Sequence, residues 1–185
     1  FSEGFDRLYP LKVLVTAAVL FRFRALLKTL EWSWSWAAAL NGLVVFVLWI
    51  AIAGKPDSGE SSLSASLAEL PPFWSAVWLV FRVFGSTVTV PLAEELAFRG
   101  YLMRRFVSVD FDEISYQRCP WWAVLLSSLL FGLMHGRWLA GMLAGLSYAL
   151  AARRRNRLCD AVLAHAVTNG LIAADVLLTG AWWLW

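Results

Sequence analysis

Six apolar runs, at about 8–21, 36–53, 73–103, 121–136, 138–152 and 158–184, occupy most of this 185-residue chain. A bilayer core of roughly 30 Å takes about 20 helical residues to cross, so the runs point to membrane-crossing helices, the shorter ones tilted or partly re-entrant. Composition agrees, with 60% hydrophobic and 16% charged residues and a mean hydropathy of +0.64 that a soluble globular domain does not carry. The expected fold is all-α: a polytopic transmembrane bundle of about six spans, one integral-membrane domain over 1–185. Trp32, Trp34, Trp36, Trp121, Trp122, Trp182, Trp183 and Trp185 flank the runs, where an indole ring sits well at headgroup level.

The net charge of +3 raises the question of a nucleic-acid partner, but the positive residues fall in short loops between the runs. A positive-inside bias accounts for them without nucleic acid. Arg22, Arg24 and Lys28 follow the first run, Arg104, Arg105 and Arg118 fall in the third loop, and Arg153, Arg154, Arg155 and Arg157 fill the fifth. These are alternate loops, so six spans place all of them on the cytoplasmic side of an inner membrane. Both termini then face away from the cytoplasm; a C-terminal reporter active only inside the cell would contradict this. The basic residues are 13 Arg and 3 Lys, a usage that points to a high-GC bacterial genome. Cys119 and Cys159 lie beside basic loops and are expected to be unpaired thiols.

The stretch Gly54–Pro72, rich in Ser, Gly, Asp and Glu, is the one loop-like insert, with a short interfacial helix expected over Ser61–Leu70. Gly132 and Gly136, then Gly141 and Gly145, recur at four-residue spacing, a pattern that serves close helix packing in lipid. The chain starts at Phe1 rather than Met, which fits either a removed N-terminus or the C-terminal part of something longer.

Ionisable groups inside such runs are costly and mark functional sites. Three clusters stand out: Glu94-Glu95-x-x-x-Arg99, Phe131-x-x-x-His135 and His165-x-x-x-Asn169, which between them hold both histidines of the chain. On straight helices Glu94 lies roughly 15 Å from Arg104, His135 about 21 Å beyond Trp121 and His165 about 12 Å beyond Arg157. All three fall within the bilayer, His135 deepest, which supports one shared cavity. Residues four apart share a helix face, so Glu95 is expected to pair with Arg99, and Glu94, rotated by about 100°, is free to point elsewhere. Phe131 forms an apolar wall beneath the His135 imidazole. Arg82 has no cluster and is expected to pair or snorkel; Asp160 and Asp175 read as helix-end residues. Ser127 and Ser128 have no defensible Ser-His arrangement, which disfavours a serine protease.

Pro91-Leu-Ala-Glu-Glu-Leu-Ala-Phe-Arg-Gly-Tyr-Leu102, Phe131-Gly-Leu-Met-His135 and His165-Ala-Val-Thr-Asn169 resemble, in order and spacing, the CAAX-protease and bacteriocin-processing (Abi) family of glutamic intramembrane proteases. The opening Phe5-Asp-Arg-Leu-Tyr-Pro-Leu-Lys-Val-Leu14 and closing Thr179-Gly-Ala-Trp-Trp-Leu-Trp185 further resemble the branch that accompanies bacterial exosortase systems, in which the domain can sit behind an exosortase. The resemblance implies an intramembrane endopeptidase with Glu94 as catalytic glutamate and His135 as its partner. It makes Glu95 and Arg99 the supporting pair, and His165 and Asn169 the motif that helps stabilise the oxyanion. The implied partners are a membrane-anchored protein or peptide substrate and the lipid bilayer, with an exosortase system as a further associate; no cofactor is implied. CAAX is not carried over as the substrate, because prenylated CAAX proteins are foreign to bacteria.

The chemistry fits these residue types. A carboxylate withdrawn from bulk water is a stronger base toward a water nucleophile, and Asn or His donors suit an oxyanion. Two alternatives stay open. Glu94, His135 and His165 match in number the ligands of a catalytic zinc, although no H-E-x-x-H is present. A non-catalytic immunity or scaffold protein with a relict site is the other, against which an intact set of six residues argues.

Overall fold

Prolines and small polar residues set the helix starts. Pro10 occupies the first turn of α1 (Tyr9–Arg22), where its missing N–H costs nothing. The Ser35 hydroxyl accepts from the Ala38 amide at 3.2 Å to cap α3 (Trp36–Ala53), and Pro71 precedes α5 (Pro72–Arg105). Pro120 precedes α6 (Trp121–Leu133). The short α2 (Arg24–Lys28) and α4 (Ser62–Ala68) complete the first half, and α7 (Trp138–Arg155) and α8 (Leu158–Thr179) the second. The structure is a computed structural model that describes residues 5–54 and 62–185. Among these residues there are eight α-helices and no strand, an all-α bundle.

The helix ends sharpen the expected runs. The last run stops at Thr179, not 184, because Gly180 takes φ 73°, which an L side chain resists. Residues Trp182–Leu184 then form a 3₁₀ turn. The fourth run stops at Leu133, so His135 lies in the turn to α7 rather than deep in a helix. A short helix is present over Ser62–Ala68 within the expected Ser61–Leu70, while residues 55–61 of that insert, and the start at Phe1, lie outside the described residues. Two helices, Pro72–Arg105 and Leu158–Thr179, are long and apolar enough to cross a membrane; Trp36–Ile52 and Trp121–Leu133 are shorter apolar helices. The outer surface keeps large apolar side chains exposed along the whole bundle, among them Leu11, Val15, Val47, Leu125 and Leu177. Solvent-facing proteins rarely leave such continuous apolar area, whereas lipid favours it.

Helix α5 is the spine, and its winding is not uniform. It runs 34 residues with π-type turns at Gly85–Thr89 and Leu96–Leu102 and α-helix over Val90–Glu95 between them. Pro91 offers no N–H and its ring crowds the carbonyl four residues back, which widens the preceding turn. Such single π turns are frequent at functional sites, and here they bracket Glu94 and Glu95. Around this spine, α6 and α7 form an antiparallel hairpin, with Gly132 so close to the Trp138 carbonyl that a Cβ would collide. Helix α8 packs on α3 and α7; the Thr168 hydroxyl donates to the Gly42 carbonyl at 2.9 Å, and Ala164 lies against Gly42 where no Cβ fits. Thus Gly132, Gly141 and Gly145 serve close packing as expected. Cys119 and Cys159 are free and buried, and burial raises the Cys119 thiol above its usual range.

Candidate active site

One cavity of about 150 Å³ penetrates the middle of the bundle. Its walls come from α3, α5, α7, α8, the α6–α7 turn and the C-terminal residues, and they include Glu94, His135, His165 and Asn169. On α5 the wall is a ladder of residues four apart, Arg82, Ser86, Val90 and Glu94; on α8 it is His165, Asn169 and Ile172. Helical spacing therefore turns two sequence clusters into two facing walls.

Behind the wall lies a pair of fully buried charges. Arg99 and Glu95 are both 0% exposed, and the Arg99 guanidinium donates to Glu95 Oε1 at 3.0 Å and to the Gly145 carbonyl at 2.7 Å. Gly145 lets the guanidinium approach: a Cβ there would come within 2.9 Å of it and one of the two would have to shift. Arg99 also lies 4.4 Å from the centre of the Phe131 ring, a favourable cation–π position in a dry setting. The expected Glu95–Arg99 pair is thus formed.

His165 belongs to this buried layer as much as to the wall. Its Nδ1 lies 2.9 Å from the same Glu95 Oε1. A carboxylate beside Arg99 accepts, so Nδ1 carries a proton, and in the neutral ring Nε2 then presents a lone pair, 4.0 Å from Glu94 Oε2. The Tyr148 ring stacks on the imidazole at 4.7 Å and 14°, which fixes its plane. His135 is held in the same way: Nδ1 is 2.7 Å from the Phe131 carbonyl and the ring sits 4.6 Å from the Phe131 ring, the apolar wall expected from the four-residue spacing. A carbonyl only accepts, so this Nδ1 is protonated too. Asn169 does not bond His165; its amide donates one N–H to the Ser86 carbonyl at 2.8 Å and keeps a second.

Glu94 is the contrast. It is 8% exposed, lies on the cavity wall, and its Oε2 is buried without accepting a hydrogen bond from the protein. A buried polar atom of this kind demands a partner, and in a roomy polar cavity water serves.

The family model for type II CAAX prenyl endopeptidases, Rce1-like, matches residues 76–171, a little over half of the chain. The chain belongs to this family. The matched segment runs from α5 to α8 and spans all six residues of the three motifs. Neither the curated proteins nor the solved structures yield a match. As an Rce1-like protein the chain is a membrane protein and a CAAX-type endopeptidase, hence a hydrolase.

Two features correct the sequence reading of this Rce1-like site. Arg82 does belong to the cluster: it is buried, lines the same cavity as Glu94, and lies 4.7 Å from the Tyr9 ring and 5.5 Å from the Trp185 ring. Of the two expectations, pairing and snorkelling, these ring contacts fit pairing. Tyr148 went unnoticed, although its spacing of three and seven from Gly145 and Gly141 puts it on the inward face of α7. The remaining polar residues behave as expected, with the Ser127 hydroxyl on the Phe98 carbonyl, that of Ser128 on the Val124 carbonyl, and Asp160 paired with Arg157 at 2.9 Å in the first turn of α8.

Proposed function

We propose that this protein is a multi-pass protease of the inner, cytoplasmic membrane that hydrolyses a peptide bond in a membrane-associated chain with a water activated by Glu94. The observation that carries the reading is the buried Oε2 of Glu94 on a cavity wall, without a protein hydrogen bond and 4.0 Å from the Nε2 of His165, which accepts in the neutral ring. A water between the two donates one hydrogen to each and presents its oxygen to the cavity. Glu94 takes the proton as that oxygen attacks the substrate carbonyl carbon, and the displaced π pair becomes the oxyanion. The second N–H of Asn169 and, when protonated, Nε2–H of His135 donate to that oxyanion. The proton then passes from Glu94 to the leaving nitrogen as the C–N bond breaks, leaving acid and amine products. Glu95 and Arg99 do not touch substrate; they hold the tautomer and direction of His165.

Zinc is the second reading, favoured by the two imidazoles, each tied through Nδ1 with Nε2 left over, as in metal sites. Against it, no three His, Cys, Asp or Glu side chains among the described residues are grouped to hold a metal ion.

The test compares the termini of membrane proteins in cells carrying the natural chain or Glu94→Gln. Termini that vanish with Glu94→Gln and persist under strong chelators support the glutamic mechanism. An unchanged set of termini sinks it, and loss on chelation with recovery on adding zinc moves the chemistry to the metal.

A further inference from the structure

We propose that the catalytic cavity opens on the non-cytoplasmic face of the membrane, so that the substrates are membrane-anchored chains already exported from the cytoplasm. The inference deepens the protease reading and rests on it for what enters the cavity; its geometry stands alone.

Side-chain contacts define the two ends of the bundle. At one end the α6–α7 turn, the C-terminal residues and the starts of α1 and α5 meet. Arg137 donates to the Trp183 carbonyl at 2.9 Å, Arg82 stacks near Trp185, and the Tyr9 and Trp78 rings lie 5.8 Å apart. Trp49, near the end of α3, reaches the His135 ring at 6.1 Å. At the other end Arg157 donates to the Ser33 carbonyl at 3.0 Å, and Asn156 accepts from the Tyr116 amide at 2.8 Å. Those bonds tie the α2–α3, α5–α6 and α7–α8 connections together.

The cavity is served from the first end only. Between Glu94 and that end its wall is Arg82, Ser86, Met134, Gly136, Arg137 and Trp185, and Met134 is 60% exposed. No residue of segments 22–28, 104–118 or 153–157 lines it. Those three segments hold ten of the 16 Arg and Lys residues, whereas the described segments at the open end hold Arg7, Lys12 and Arg137. Short loops rich in Arg and Lys stay in the cytoplasm. The closed end is therefore cytoplasmic and the mouth faces away from it. On the ladder of α5, at 1.5 Å per residue, Glu94 is roughly 18 Å from Arg82 on the mouth side and roughly 15 Å from Arg104 at the other end, so the scissile bond lies near the middle of the bilayer and is reached from the mouth.

Single cysteines test this in intact cells expressing the full chain in which Cys119 and Cys159 are replaced by Ala. Met134→Cys, exposed at the mouth, and Thr179→Cys, exposed at the end of α8, report on one face; Arg154→Cys, exposed between α7 and α8, reports on the other. The probe is a small membrane-impermeant maleimide, applied before and after permeabilisation. The expected result is labelling of Met134→Cys and Thr179→Cys before permeabilisation and of Arg154→Cys only afterwards. Labelling of Arg154→Cys in intact cells, or of the other two only after permeabilisation, overturns the sidedness while leaving the role of Glu94 untouched. Conversely, an inert Glu94 leaves the labelling pattern unchanged.

Discussion

Glu94 and Glu95 are adjacent in sequence and occupy two different regions of the molecule. Glu95 is 0% exposed in the dry layer between α5, α7 and α8, where one carboxylate oxygen takes bonds from both Arg99 and His165. Glu94, one helix step away, ends on the cavity wall with its Oε2 bound to nothing in the protein. The difference shows how a helix in lipid divides labour: one carboxylate is neutralised to hold the frame, and its neighbour is left reactive. Burying an unpaired charge is expensive, so the arrangement is stable only because the frame supplies a cation to one carboxylate and a polar cavity to the other.

The largest expected effect breaks the comparison at the wall. Glu94→Gln keeps the side-chain shape and removes the base, which is expected to lower the cleavage rate by about 10²–10⁴-fold. No protein hydrogen bond to Oε2 is lost, so the thermal unfolding midpoint in detergent is expected to change far less than in a Glu95 variant. A variant that cleaves at a near-normal rate, or that unfolds as readily as a Glu95 variant, removes the distinction.

Arg99→Ala breaks the frame. It leaves Glu95 as an uncompensated buried charge and the Gly145 carbonyl without its donor, which is expected to cost about 3–5 kcal/mol of stability. The unfolding midpoint and the rate should fall together. Full stability with lost activity would falsify the frame role and move Arg99 into the chemistry.

What sequence could tell about these two regions depended on distance along the chain. The Glu95–Arg99 pair and the Phe131–His135 stack are four residues apart, and helix periodicity alone announces them; the structure has them at 3.0 Å and 4.6 Å. The His165–Glu95 bond spans 70 positions and joins α8 to α5, and no local spacing encodes it. Arg82 looked isolated because two of the rings around it, Tyr9 and Trp185, come from opposite ends of the sequence, and only Trp78 lies four residues away on the same helix. The end of α6 at Leu133 was masked because Met134 follows it and the apolar run resumes at Trp138 after only three further residues, whereas Gly180 after Thr179 was a legible stop that hydropathy alone passes over.

Gly145→Ala sharpens the frame with a gentler change. The added Cβ meets the Arg99 guanidinium at 2.9 Å and the Phe131 ring at 3.2 Å, so one of them must shift. Overpacking of this kind typically costs about 1–3 kcal/mol. The effect is expected in the unfolding midpoint first, with a smaller loss of rate as His165 follows Glu95. Gly170→Ala, whose Cβ meets only a Thr87 methyl at 3.9 Å, is the control and should be neutral.

The smallest effect tests how frame and wall communicate. His165 joins the two carboxylates, with Nδ1 on Glu95 and Nε2 toward Glu94, and the Tyr148 ring holds its plane by stacking at 4.7 Å and 14°. If stacking is what aims Nε2, the ring matters. Tyr148→Phe keeps the ring and is expected to retain cleavage within a few-fold. Tyr148→Leu keeps an apolar filler and loses a contact worth about 0.5–1.5 kcal/mol, so the rate constant kcat should fall by up to about tenfold with KM unchanged. A packing role alone would lower the unfolding midpoint of Tyr148→Leu and leave kcat intact. Rescue by Phe but not by Leu ties the loss to the orientation of the imidazole, through which the buried Glu95 acts on the water at Glu94.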